Sequence, residues 1–263
     1  MALPVKERAL VLVKAYPQPS QKYDETVCCA GITAAGHFLR LYPIRYRHLP
    51  AHKQFDRWDV IEFEGKRSPD DHRPESRHIN EDTITIVQRH SQTDESQRVR
   101  MWAPHVAASL ISLRQENVNC SRSLGIVKPD PGSVRFSARK LSKSSAEDTA
   151  LQKLFHQASL IEQTALPAMT IEYEFSYKFT CAGIAHDMKI HDWEVQAAFF
   201  GYQRKYGSQT LEVLKHEYES NMPARNLHLV MGTMKAHPRQ FIIIGLLRSG
   251  TSPDDALRQA SLL

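Results

Sequence analysis

Alternation of apolar and polar residues is clearest between residues 170 and 180. Aromatic or aliphatic side chains occupy every second position from Ile171 to Phe179, and polar side chains lie between them. Because successive side chains of a strand point to opposite faces, this pattern predicts a β-strand with one buried face.

The first ninety residues contain five more short segments rich in β-branched and apolar residues. The predicted strands are 8–16, 26–33, 37–44, 58–64 and 83–87, and a polar loop at 65–77 separates the last two. No long helical pattern interrupts them, which favours a small barrel or a strongly curved sheet.

The rest of the chain mixes helical and strand patterns. Apolar spacings of three and four predict a helix over 96–117, with Pro104 in its first turns or splitting off a short lead-in. Further helices are predicted at 145–160, 192–206, 211–219 and 252–262, strands at 124–127, 133–137, 227–231 and 241–247, and a compact polar turn at 182–191.

These patterns predict an α+β fold, in which a β-rich N-terminal half is followed by a mixed helix and strand half packed on it. We expect one domain over residues 1–263, with possible sub-parts at 1–92 and 93–263. No internal repeat stands out in the sequence.

Composition narrows the class of protein. The chain has 263 residues, of which 41% are hydrophobic and 24% are charged, which excludes a disordered chain, a collagen-like repeat and a coiled-coil rod. No apolar run approaches the ~18 residues of a membrane span. The four cysteines form no CxxC pair, so we expect reduced, buried thiols in a cytoplasmic protein. A zinc site assembled from Cys and His residues of distant segments is the alternative; otherwise we expect no metal and no cofactor.

A net charge of +5 favours a polyanionic partner only weakly, but its distribution is more informative. Residues 38–58 hold five Lys and Arg residues against one acid, Asp56, and aromatic residues lie among them. Guanidinium groups neutralise phosphates and aromatic rings stack on bases, so the mixture suits nucleic acid. The alternative is a solvated loop whose tyrosines cover the barrel.

A second basic stretch at 121–143 strengthens the prediction of a nucleic-acid partner. A loop at 14–25, rich in proline and aromatic residues, suits a pocket wall. The predicted nucleic-acid-binding residues are Arg40, Tyr42, Arg45, Arg47, Lys53, Arg57, Arg135, Arg139, Lys140, Lys235 and His237, and the predicted pocket residues are Tyr16, Tyr23 and Glu25.

Residues 186–194 combine two His-Asp pairs with a glutamate. A carboxylate beside an imidazole can activate water, and two carboxylates can hold a divalent cation. A structural explanation is also open, because Asp192 suits a helix N-cap and Glu194 suits the positive end of a helix. The candidate catalytic residues are His186, Asp187, His191, Asp192 and Glu194.

The loop at 70–78 mixes acids, histidines and arginines. It is a candidate for clamping a phosphate or binding a metal, although most charged loops of this kind are simply solvated.

Several short motifs lie along nearly the whole chain. They are 14–17 (KAYP), 22–23, 25–28, 30–32, 40–43 (RLYP), 54–55, 73–76 (RPES), 192–194 (DWE), 232–234 (GTM) and 238–245. Together they resemble a bacterial family linked to mobile elements and phage defence, and in particular the antiphage DNA glycosylases that remove glucosylated hydroxymethylcytosine. The resemblance implies a DNA glycosylase that acts on modified phage DNA.

Three functions follow as hypotheses. A glycosylase would flip a nucleotide out of the duplex and use Asp187 or Asp192 to assist hydrolysis of the glycosidic bond. A reader of modified bases or of RNA would bind without chemistry. A nuclease would bind Mg²⁺ through Asp187, Asp192 and Glu194 and cut phosphodiesters.

Overall fold

Twelve strands and five α-helices make up the part of the chain that the computed structural model describes, residues 3–15, 18–20, 24–68, 70–90, 95–141 and 171–260. The strands are β1 (Val5–Lys14), β2 (Gln18–Ser20), β3 (Asp24–Ile32), β4 (Phe38–Ile44), β5 (Asp59–Lys66), β6 (Ser76–Arg89), β7 (Leu124–Val127), β8 (Arg135–Lys140), β9 (Tyr173–Cys181), β10 (Ile184–Ile190), β11 (His228–Thr233) and β12 (Phe241–Leu247). The helices are α1 (Glu95–Trp102), α2 (Leu110–Cys120), α3 (Trp193–Tyr206), α4 (Thr210–His216) and α5 (Pro253–Ala260).

The N-terminal half forms a closed barrel of five strands, as the sequence predicts. Residues Val5 to Leu10 of β1 pair with β5, and residues Leu10 to Lys14 pair with β3. Since β1 bonds to both neighbours, the order β1-β5-β6-β4-β3 closes on itself. All of these pairings are antiparallel except that of β4 with β6, which is parallel.

The C-terminal half repeats this connectivity with different sequence. β7 pairs with β11 and β8 pairs with β9, so the two short strands take the place of β1, interrupted by residues 128–134. The remaining order β9-β10-β12-β11 again contains one parallel pair, β10 with β12. The helices α3 and α4 follow β10 at the position where the first half has two short 3-10 turns.

This connectivity is the topology of the OB fold: the first strand lies between the second and the fourth, and the third strand runs parallel to the fifth. The molecule therefore contains an internal repeat that the sequence did not reveal. The two halves share the order of their strands but not the lengths of the helices and loops that connect them. Equivalent strands are therefore not separated by a constant number of residues, and no periodic pattern appears in the sequence. We call the two halves the first and second barrels.

Three groups of buried side chains hold the fold together. One fills the first barrel and includes Leu41 and Phe63, and another fills the second barrel and includes Tyr177 and Ile243. The third lies between the barrels, where β1, β3 and α1 pack on β7, β11 and β12. Burial of this third group fixes the barrels against each other.

Gly245 lies where the two barrels are in close contact. A Cβ atom at this position would lie 2.3 Å from Cγ2 of Val13. We expect Gly245→Ala to lower the free energy of unfolding by about 1–3 kcal/mol, because the crowded strands must move apart. Urea unfolding followed by far-UV circular dichroism measures the change.

Gly201 in the middle of α3 provides the matched control, because a Cβ there would meet nothing within 4 Å. Gly201→Ala is expected to raise the free energy of unfolding by about 0.5–1 kcal/mol, since alanine is the better helix former. Equal unfolding midpoints for Gly245→Ala and the wild type would contradict tight inter-barrel packing at this point.

Several predicted elements need correction. Residues 184–190 form the strand β10 instead of a polar turn, since only Ala182 and Gly183 turn the chain. Pro104 splits the predicted helix 96–117 into α1 and α2, which is the second of the two alternatives expected at this proline, and the last strand of the first barrel extends from Ser76 to Arg89. The predicted helix 145–160 lies outside the described residues.

All four cysteines are free thiols, as expected, but Cys120 is exposed whereas Cys29 and Cys181 are buried. None of the described helices is both long enough and apolar enough to cross a lipid bilayer.

Candidate functional site

A cleft of about 1000 Å³ opens between the two barrels and α1. It lies where β1 and β6 end, where β5 begins, and where α3 begins on the second barrel. Lysine and arginine side chains outnumber acids in its walls, which suits an anionic ligand. The charged residues are Lys14, Arg57, Arg89, Arg98, Arg225 and Arg248 against Asp56, Asp59, Glu95 and Glu194, and the tryptophans are Trp58, Trp102 and Trp193.

Trp58 is the most unusual residue in the cleft. Its φ of 76° is in the left-handed region, which costs a bulky residue roughly 1–2 kcal/mol. The backbone is held there by a hydrogen bond of 2.8 Å from the Trp58 N–H to the Val11 carbonyl. The Cζ atoms of Arg57 and Arg98 lie over the indole ring, at 5.3 and 5.2 Å from its centre. Strain of this kind is concentrated at binding and catalytic sites.

Arg57 joins the two barrels at the edge of the cleft. Its Nε donates to the Leu12 carbonyl at 2.8 Å, and its terminal nitrogens donate to the Glu194 carboxylate and the Leu246 carbonyl. This residue therefore brings the basic stretch 38–58 and the segment 186–194 to the same place. Nothing in the sequence indicates that the two segments meet.

Asp192 caps α3, as its position predicts. Its Oδ1 accepts the Glu194 N–H at 2.9 Å and its Oδ2 accepts the Leu246 N–H at 2.8 Å. Burial raises the pKa of Asp192 to about 7, with a smaller contribution from Glu194, while Arg57 acts in the opposite direction. Both oxygens are occupied by backbone amides, so Asp192 supports the rim of the cleft and does not face into it.

The raised pKa of Asp192 predicts a pH-dependent stability. The carboxyl has a pKa near 3.9 in an unfolded chain and about 7 in the folded protein. Between these values the folded state binds more protons, so its stability falls as the pH rises from about 4 to about 7. Asp192→Asn does not titrate, and the wild type should lose stability relative to this variant across that interval.

Urea unfolding midpoints of both proteins at several pH values check this prediction. A difference that stays constant from about pH 4 to about pH 7 would show that Asp192 does not have a raised pKa.

Lys14 is a fixed positive charge in the cleft wall. Its Nζ lies 3.2 Å from the Tyr46 hydroxyl and 3.3 Å from the Asp56 carboxylate, and 4.5 Å from the centre of the Tyr46 ring. Burial acts to lower the pKa of Lys14, but Tyr46 and Asp56 outweigh it and raise the pKa overall. The ammonium therefore stays charged.

The other charged residues of the cleft differ in whether they already have a hydrogen-bond or ion-pair partner. Asp59 is buried, accepts the Asp56 N–H at 2.8 Å and lies 3.4 Å from Arg89. Among the described residues, Glu95 and Arg225 have no ion-pair partner within the cleft or beyond it. These two side chains are the ones most available to a ligand.

The segment 186–194 does not form one cluster. Asp187 lies on the outer face of β10, where its side chain is 61% exposed and its carboxylate is 3.7 Å from Lys178. His186, also on β10, packs beside Phe179 of the neighbouring strand β9. Only Glu194, of the five candidate catalytic residues, lines the cleft; His191 is half-buried where β10 ends.

Arg40 is not on the surface, contrary to its predicted role in nucleic-acid binding. Its side chain is buried and donates to the Ser123 hydroxyl at 2.7 Å and to the carbonyls of Ser123 and Thr233 at 3.1 and 3.3 Å. Glu75 accepts the N–H and the hydroxyl of Ser123, both at 2.8 Å. We call these residues the Arg40 network. It joins the barrels at the end opposite to Arg57.

The charged loop 70–78 belongs to the same junction. Arg73 makes a two-pronged pair with Asp71 at 2.7 and 2.8 Å and also donates to the Thr233 carbonyl. A role in packing the barrels together therefore explains this loop without a bound phosphate or metal.

The remaining predicted nucleic-acid residues lie outside the cleft. Tyr42 is 41% exposed on β4, Arg45 is paired with Glu81, and Lys53 donates to the Asp82 carbonyl. Arg47 lies nearby, Arg135, Arg139 and Lys140 are exposed on β8, and Lys235 and His237 are exposed between β11 and β12. Tyr16, Tyr23 and the side chain of Glu25 lie outside the described residues.

Sequence reasoning missed Arg89, Glu95, Arg98, Arg225 and Arg248. Each lies in a segment with no other chemical signal, and the fold alone brings them together.

Comparison with known proteins divides the chain where the structure does. Residues 5–104 match a family described as Domain of unknown function (DUF8758), and residues 105–262 match one described as Domain of unknown function (DUF8757). No curated protein matches the chain. The boundary falls in the 3-10 turn Ala103–His105, between α1 and α2. Because its model covers well over half of the residues, the chain belongs to the DUF8757 family.

Proposed function

We propose that this protein binds nucleic acid and takes one unpaired nucleotide into the cleft between its barrels. The observation that carries the proposal is Trp58, whose backbone is in the left-handed region and whose indole lies beside two guanidinium groups in a cleft rich in cations. Planar aromatic and guanidinium groups stack on bases, and cations neutralise the phosphates that flank them.

The size of the cleft supports this proposal. Its volume of about 1000 Å³ lies at the upper end of the range for small-molecule pockets, so a nucleotide with its flanking phosphates has room to enter. Arg225, which has no ion-pair partner among the described residues, is available to a phosphate.

Binding of a short fluorescent single-stranded DNA, followed by anisotropy, tests the proposal. The matched probe is an oligonucleotide of the same length with abasic sites throughout, which has the phosphates without the bases. We expect clearly tighter binding of the probe that carries bases. Equal affinity for the two probes would show that the protein reads charge alone, and failure to bind either would overturn the proposal.

Base excision is a second candidate activity. It is favoured by the meeting of residues 56–58 with Trp193 and Glu194 in one cleft, beside the carboxylate of Glu95. A carboxylate there would stabilise positive charge on the sugar as the glycosidic bond breaks. The bond from C1′ to the base nitrogen breaks with its electron pair on the base, and the oxygen of water bonds to C1′. The proton that this water loses goes to the carboxylate and is passed through solvent to the base, which leaves as a neutral molecule, and the carboxylate is restored.

The substrate expected for excision is phage DNA that carries glucosylated hydroxymethylcytosine. Incubation of such DNA with the protein in EDTA, followed by cleavage at abasic sites, measures the activity. Glu95→Gln and Glu194→Gln should each reduce it, while Asp187→Asn should not, because Asp187 lies on the outer face of β10. If every modified DNA substrate remains intact, the protein binds nucleic acid but does not excise bases.

The nuclease alternative has less support from the geometry. Asp187 is on the exposed face of a strand, Asp192 accepts two backbone amides, and Glu194 is paired with Arg57. The three acids do not converge on one point.

A further inference from the structure

A second cationic groove lies at the other end of the second barrel. It has a volume of about 490 Å³ and is formed by Arg114 of α2 and the hairpin residues Ala236 to Phe241. We call it the hairpin groove. β11 ends and β12 begins there, whereas the cleft lies where β11 begins and β12 ends.

The hairpin is held in one shape by hydrogen bonds. The His237 N–H donates to the Met234 carbonyl at 3.1 Å and the Gln240 N–H donates to the His237 carbonyl at 3.0 Å. The buried Asn117 side chain donates to the Pro238 carbonyl at 3.1 Å and ties the hairpin to α2. A ligand that binds here meets a preformed surface.

Among the described residues that line it, the groove contains two arginines and no acid. Arg114, His237 and Arg239 line it, and Lys235 lies beside it on the same hairpin; all four are exposed. None of the four has an ion-pair partner among the described residues. The nearby acid Glu116 is already paired with Arg122, at 2.5 Å. This positive charge is therefore not neutralised within the described parts of the protein.

We propose that the hairpin groove binds the phosphodiester backbone of the nucleic acid whose nucleotide enters the cleft. The inference rests on the proposed function. The one phenyl ring in the groove wall, that of Phe241, is buried, and none of the described tryptophans or tyrosines lines the groove. We therefore expect Arg114 and Arg239 to contact phosphates, which cationic side chains on a protein surface bind without reading sequence. Arg114 and Arg239 carry the interaction, and it does not depend on base sequence.

The salt dependence of binding tests the inference. Each phosphate contact on a single strand contributes about 0.7 to the slope of log affinity against log salt concentration. We expect Arg114→Ala/Arg239→Ala to reduce this slope by about 1.4 for the single-stranded DNA probe. Lys6→Ala/Arg8→Ala removes the same charge from β1, where both residues pair with Glu62, and should leave the slope nearly unchanged.

The outcomes separate this inference from the proposed function. Suppose that the wild type binds the base-containing probe more tightly than the abasic probe, but that both double variants have the same salt slope as the wild type. The hairpin groove is then not a contact site. If both double variants reduce the slope equally, the effect comes from net charge and the inference also fails. If the wild type binds neither probe, the proposed function itself fails.

Discussion

Replacement of Trp58 with alanine is expected to weaken binding of single-stranded DNA by about 5- to 150-fold, since one base–aromatic stack contributes roughly 1–3 kcal/mol. The indole is the ring in the cleft that two guanidinium groups approach, and the alanine variant removes this planar surface. Anisotropy titrations with the base-containing and abasic probes measure the change. The loss should be confined to the probe that carries bases.

Two variants control for the effect of Trp58. Trp58→Phe retains an aromatic ring and should recover most of the affinity. Tyr42→Ala removes an exposed aromatic ring on β4 outside the cleft and should change binding little. If Tyr42→Ala weakens binding more than Trp58→Ala does, bases stack outside the cleft.

The backbone at Trp58 gives an independent stability measurement. Because φ is 76° at this position, Trp58→Gly should be more stable than Trp58→Ala by about 1 kcal/mol. Both variants lose the same indole contacts, so their difference reports the strain. Equal unfolding midpoints would show that the backbone relaxes without cost.

Glu75→Ala is expected to lower the free energy of unfolding by about 3–5 kcal/mol. The substitution leaves the buried N–H of Ser123 without an acceptor and removes negative charge next to the buried guanidinium of Arg40. Urea unfolding of the variant and the wild type measures the loss. Glu75→Gln keeps one acceptor oxygen and should be less destabilising.

Asp187→Ala is the matched control for Glu75→Ala. It removes the carboxylate of an exposed ion pair at 3.7 Å, and exposed pairs contribute at most about 1 kcal/mol. A cost for Glu75→Ala as small as that of Asp187→Ala would mean that water reaches the Arg40 network and that the barrels are not joined tightly there.

The strands of the first barrel could be predicted because each carries enough apolar residues to define a buried face. β10 could not, since only Met188 and Ile190 are buried on it and the other positions are exposed or half-exposed. Two buried apolar residues among His, Asp and Lys side chains are too few to show the alternation that identifies a strand. The same polar residues made the segment look like a catalytic turn.

The cleft could be predicted only in part. The stretch around Arg57 and Trp58 stands out by its composition, and Glu194 stands out among its neighbours. Arg40 has the same local signal as Arg57, yet its partners Ser123 and Thr233 lie far along the chain and bury it. Whether an arginine faces solvent or an interface depends on the docking of the barrels, which no local pattern encodes.

The attachment of the barrels at both ends has a kinetic consequence. Arg57 bridges them beside the cleft, the Arg40 network bridges them at the opposite end, and an apolar layer fills the space between. Among the described residues these contacts leave no hinge about which one barrel could swing. A ligand should thus enter an already open site in one step, and the observed association rate should increase linearly with ligand concentration without reaching a plateau.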